Sequence, residues 1–94
     1  MKEYKIVCTI DQFDGYGKKY HYETSSPILS GSNRMRSITT DRKEAERLLA
    51  EAERKGKEFE EWTRDMAETY KDTFVTTQSN YRIMSREVTE WVEA

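Results

Sequence analysis

The sequence predicts one α+β domain spanning residues 1–94: a small antiparallel sheet, made of an N-terminal hairpin and C-terminal strands, packed by one long or two shorter helices. The expected order is β-β-(β)-α-(α)-β-β. Three observations carry this. Tyr4 to Phe13 alternates with a period of two and runs into a glycine-rich turn, Thr40 to Tyr70 repeats its apolar residues every three or four positions, and Thr73 to Ser85 is again rich in β-branched and aromatic residues.

In the first strand Tyr4, Ile6, Cys8 and Ile10 share one face, and Lys5, Val7, Thr9 and Asp11 the other. Asp14-Gly15-Tyr16-Gly17 supplies the turn chemistry of a hairpin, and Lys18 to Thr24 is the return strand. Ser25 to Asn33 holds the only proline and many small polar residues, so it reads as a loop anchored by Ile28 and Leu29. Arg34 to Thr39 offers a short third strand with Met35 or Ile38 turned inward.

The helical stretch opens with Asp41 as cap, and Glu44 three residues on completes a capping box. Ala45, Leu48, Leu49, Ala52, Phe59, Trp62, Met66 and Tyr70 form its stripe, which predicts a buried Trp62. Glu51 with Lys55 and Glu60 with Arg64 have the i, i+4 order of stabilising pairs. Gly56 between two lysines suits a helix end, with the second half folding back. The alternative is one unbroken helix, about 45 Å long at 1.5 Å per residue, whose Phe59, Trp62 and Met66 end a second copy would cover in a homodimer. After it, Thr73 to Gln78 and Tyr81 to Ser85 are expected to pair as a hairpin across a Ser79-Asn80 turn, and Arg86 to Ala94 to favour a strand over a helix.

Charged residues make up 36% of the chain, yet six tyrosines, three phenylalanines and two tryptophans place it with folded rather than disordered sequences. The net charge of −2 excludes a strongly basic nucleic-acid binder and a heavily acidic mimic. Residues 1–42 carry seven Lys and Arg against five Asp and Glu, and residues 43–94 nine against thirteen, so the hairpin half is mildly basic and the helical half acidic. Cys8 is the lone cysteine, which points to a reducing compartment, and no run is apolar or long enough for a membrane span or a signal peptide. A cytoplasmic protein is expected.

With His21 the single histidine, no His-based metal cluster can form, and Cys8 reads as a core residue rather than a nucleophile. The helix carboxylates are interleaved with Lys and Arg, the pattern of a solvated face. Asp14-Gly-Tyr-Gly17 lacks the spacing and the Lys-Ser/Thr end of a phosphate loop. No catalytic residue, metal ligand or cofactor site is expected, and the chain reads as a non-enzyme. The functional colour lies in the aromatic-basic hairpin: Tyr16, Lys18, Lys19, Tyr20 and Tyr22, joined by Arg34 and Arg36, are the candidate partner-binding residues. They suit a protein interface, the leading expectation, or base stacking and phosphate contacts in a nucleic-acid-binding module. The strand–strand–helix–strand order resembles that of many small accessory proteins of bacteria and their phages, including inhibitors of host defence systems. That topology implies an accessory or inhibitory role exerted through a protein partner.

Overall fold

The computed structural model describes residues 1–36 and 38–87, and within them the α+β order holds. β1 (Lys2–Phe13) is the central strand. Along one edge it pairs over its whole length with β6 (Val75–Glu87). Along the other edge β2 (Lys19–Thr24) pairs with residues 8–13, and β5 (Ile38–Thr39) pairs with Tyr4 and Lys5. Every pairing is antiparallel. The Ser-rich segment is not plain loop: β3 (Ile28–Ser30) and β4 (Asn33–Arg34) form a small hairpin of their own, turning at Gly31 with φ 49°. The expected third strand is therefore divided, with Met35 buried at its start and Ile38 exposed near its end.

α1 (Arg42–Thr69) is one helix of 28 residues, so the break at Gly56 does not occur. Gly56 has a different purpose. A Cβ there would collide with the Tyr81 hydroxyl and come within 2.6 Å of the Gln78 amide nitrogen, so the bare backbone lets helix and sheet approach. The fold-back was expected because a straight rod would project from a round domain, with a radius of gyration of about 12 Å for this length. The domain is not round. It measures 60 × 24 × 20 Å, with a radius of gyration of 16.2 Å, because β1 and β6 are nearly as long as the helix and lie along it.

Asp41 caps α1 by accepting from the Lys43 N–H at 2.9 Å, but no capping box closes. Glu44 is held instead by the Arg47 guanidinium, which keeps its carboxyl below the ordinary carboxylate range, and the Asp41 N–H is satisfied by the Thr39 hydroxyl at 3.1 Å. Of the two expected helix pairs, Glu60 with Arg64 forms at 3.1 Å, whereas Glu51 takes Arg47 and Lys55 takes Glu58.

The helix buries Ala45, Leu48, Ala52, Gly56 and Thr63 against Ile6, Cys8 and Ile10 of β1 and the inner side of β6. Helical residues turn by about 100° each, so Trp62, next to Thr63, points well away from this stripe. It is 54% exposed, which corrects its expected burial. Glycine and threonine, not tryptophan, mark the inner face.

The C-terminal segment is also one element where a hairpin was expected. Asn80 does not turn the chain back; it adopts φ 53° as an extra residue in β6, and the register with β1 shifts between Val7 and Thr9. Thr76 and Gln78 face the helix before this bulge, and Tyr81 and Ile83 after it. Asn tolerates the left-handed region, which is why it fits both a turn and a bulge. The expectation for the last residues lies outside the described ones beyond Glu87.

Gln78 ties the β3–β4 hairpin to the sheet by copying a strand partner: its side-chain oxygen accepts from the Ile28 N–H at 2.7 Å and its nitrogen donates to the Ile28 carbonyl at 2.9 Å. At the far end of the helix the Thr76 N–H donates to the Thr63 hydroxyl at 3.1 Å, which in turn donates to the Glu60 carbonyl. These two bridges set the helix and the small hairpin against β6.

Two predictions follow from the strand–helix contact. Gly56→Ala should lower stability by about 1–2 kcal/mol in urea denaturation, although an exposed helical glycine would gain about 1 kcal/mol by the same change. Tyr81→Phe should cost nothing, since the buried hydroxyl has no hydrogen-bond partner among the described residues, and in the double variant it should recover part of the Gly56→Ala loss. A stabilising Gly56→Ala would contradict the close approach. At the bulge, Asn80→Gly should stay within a few tenths of a kcal/mol of wild type while Asn80→Val loses about 1–2 kcal/mol, the cost of a β-branched residue at positive φ.

Candidate functional site

The seven hairpin candidates do not meet on one surface. Alternation along β2 sends Tyr20 and Tyr22 to the helix side of the sheet and Lys19 and His21 to the open side, so the aromatic and basic residues part. Tyr22 is half-buried against Cys8, Ile10 and Ile28. Its hydroxyl accepts from Arg34 Nη2 at 3.2 Å while Arg34 Nη1 donates to the Ser26 carbonyl at 3.1 Å, so these two candidates are brought together as a clamp on the Ser-rich segment. Tyr20 packs on Phe74 with ring centroids 5.5 Å apart.

Tyr16 stands at the hairpin tip, 71% exposed, on a turn that Asp14 holds by accepting from the Tyr16 and Lys18 N–H groups, each at 2.9 Å. The tip leans on the end of the helical region, where the Gly15 N–H donates to the Lys71 carbonyl at 2.7 Å. Lys18 is exposed beside Tyr16. Arg36 lies elsewhere, on a shallow hollow with Lys5, Ser25, Ser26 and Ile38.

Among the described residues no helix covers the open face of the sheet, and two ion pairs and a His21–Asp11 hydrogen bond cross it. Arg82 reaches over β1 to Glu23 at 2.6 Å, Arg86 meets Glu3 at 3.1 Å, and His21 Nδ1 meets Asp11 at 2.5 Å. Exposed pairs of this kind add little stability. Their consequence is electrostatic: Arg82 and Arg86 are answered within the sheet, whereas Lys5 and Lys19 of the same face make no ion pair among the described residues.

Cys8 and His21 fall on opposite faces, which leaves neither a partner for the other. The Cys8 thiol is buried, donates to the Gln78 side-chain oxygen at 3.6 Å, and is pushed up to about 11 by burial, with Arg34 and Arg82 pulling weakly the other way. Burial likewise raises the Tyr81 phenol. Among the described residues no group of three His, Cys, Asp or Glu could hold a metal ion, and no helix is long and apolar enough to cross a membrane.

A different feature has the geometry of a binding surface. Phe59 and Trp62 stack with ring centroids 5.9 Å apart and an interplanar angle of 29°, and with Glu58 they face Leu29, Ser30 and Gly31 of the small hairpin across a cleft of about 290 Å³. Both walls are fixed, one by the Gln78 bridge and the other by the Thr63 bridge one residue from Trp62. Sequence reading placed Trp62 in the core because Phe59, Trp62 and Met66 keep a helical spacing. The available signal was Gly56: once it is placed on the inner face, the helical period puts Thr63 inside and Trp62 outside.

The thiol gives a direct check. Ellman's reagent should leave Cys8 unmodified at neutral pH until the chain unfolds. The folded thiol keeps its proton to about pH 11 while the unfolded one ionises near 9, so the stability it contributes is complete below 9 and is lost as pH rises towards 11. Urea midpoints across that window should fall more for wild type than for Cys8→Ala.

No protein-family model, curated protein or solved structure matches the chain.

Proposed function

We propose that this chain is a non-catalytic protein that acts by binding another protein. The observation that supports it best is Trp62: an indole more than half exposed, stacked on Phe59 at the edge of a cleft whose two walls are braced by side-chain bridges to β6. A solvated tryptophan on a rigid helix contributes little to the fold, whereas tryptophans are among the residues that carry most of the free energy at protein interfaces. Tyr16, 71% exposed at the hairpin tip, is a second anchor of the same kind. The accessory or inhibitory role in bacteria or their phages rests on the order of elements, and a cytoplasmic setting on the single, buried Cys8.

The nucleic-acid reading loses ground on this geometry. It needs Tyr20, Tyr22, Arg34 and the lysines side by side, but Arg34 and Tyr22 are engaged with each other and Arg82 and Arg86 are engaged with carboxylates.

Trp62→Ala should stay within about 1 kcal/mol of wild-type stability, because the side chain is already half in water. Captures from a lysate of the encoding organism, read by mass spectrometry, should recover proteins with wild type that are lost with Trp62→Ala. If wild type and variant capture the same set, the cleft is not the binding surface. Retention on heparin that falls steeply with salt and disappears on changing Lys18, Lys19 and Arg36 to Ser would instead restore the nucleic-acid reading.

A further inference from the structure

We infer that the Trp62 cleft receives a cationic segment of its partner protein, an apolar side chain seated against Phe59 and Leu29 and an adjacent Arg or Lys held over the indole. This rests on the protein-binding reading and gives the chemistry of the occupant. From Lys57 to Thr69 the helix carries five carboxylates, Glu58, Glu60, Glu61, Asp65 and Glu68, against the two cations Lys57 and Arg64.

Residues three and four apart are neighbours on a helix surface, so Glu58 and Asp65 flank Trp62 along the axis, and Glu61 adjoins it in sequence. Glu58 is shared with Arg54 and Lys55, and Glu60 is paired with Arg64. Glu61, Asp65 and Glu68 are exposed and make no ion pair among the described residues. An apolar wall with unanswered negative charge at its rim complements an apolar residue flanked by positive ones, and an exposed indole face adds its own attraction for a cation.

The same carboxylates repel the other occupants such a surface could take. Nucleic-acid phosphates and anionic lipid headgroups carry the wrong sign. Apposing the clefts of two copies would bring the same carboxylates together, which disfavours a symmetric contact through this face.

The test uses two synthetic peptides, one with leucines flanked by arginines and the other with each arginine replaced by glutamate. Binding is read from the indole N–H signal of Trp62, assigned by its loss in Trp62→Phe. The arginine peptide should shift that signal, the glutamate peptide should not, and the Glu61→Lys/Asp65→Lys double variant should weaken the arginine peptide by about tenfold or more. Both substitutions are at exposed positions, and an unchanged urea midpoint confirms that the variant is folded. Equal binding of the two peptides, or undiminished binding to the double variant, overturns the inference. Lysate proteins whose capture depends on Trp62 but survives the double reversal overturn the cationic chemistry while upholding a protein partner. Loss of Trp62-dependent capture altogether removes the parent reading as well. Self-association in sedimentation that Trp62→Ala abolishes assigns the cleft to a second copy and likewise overturns the inference.

Discussion

The approach of α1 to β6 at Gly56 is the contact on which the rest of the structure depends. With no side chain in the way, the Tyr81 ring end lies on the helix backbone and Gln78 fits beside it, close enough for Gln78 to reach on and hold Ile28. That short separation seals Cys8 and Ile10 beneath the helix with Ala52 on its inner stripe, beside Ile6, Ile28, Met35 and Leu48. A core this thin gains its stability from length: two long strands and a helix of seven or more turns lie side by side, and burial is spread along the axis rather than gathered at a centre.

The elongated shape also explains where function can be placed. The helical period that places Gly56 and Thr63 on the inner face turns Trp62 outward, and the small hairpin supplies a facing wall. The open side of the sheet has the area for a partner and exposes Ile38 and Met84, but ion pairs from Arg82 and Arg86 cross it.

Much of the fold was legible because alternation and helical repeat are direct images of backbone geometry. β1, the Asp14–Lys18 turn, β2 and the Asp41 cap all stand where those signals put them. The misreadings of the helix end and of the C-terminal hairpin share one cause. Gly56 and Asn80 are residues whose backbone freedom has more than one use, and local pattern does not say whether glycine ends a helix or admits a neighbour, or whether asparagine reverses a strand or kinks it. At Gly56 the choice is made by Tyr81, distant in sequence. The candidate site was less legible still. The hairpin residues were identified by type, and whether Arg34 is offered to a partner or spent on Tyr22 depends on a contact between strands that no period encodes.

The bulge at Asn80 also sets how the chain can vary over evolutionary time. Along β6 it acts like a shift of reading frame: inward residues fall on even numbers before it and on odd numbers after it, from Thr76 and Gln78 to Tyr81 and Ile83. Exchange of one side chain for another can be absorbed at many positions of the strand. Loss or gain of a single residue between Val75 and Glu87 cannot, because every side chain beyond the change would swap faces, turning Arg82 and Met84 towards the helix and Tyr81 and Ile83 into water. Descendants of this chain should thus diverge freely in composition here while holding the length of β6 constant, and accept insertions instead at the Tyr16 tip and at the Gly31 turn, where no downstream register depends on the count.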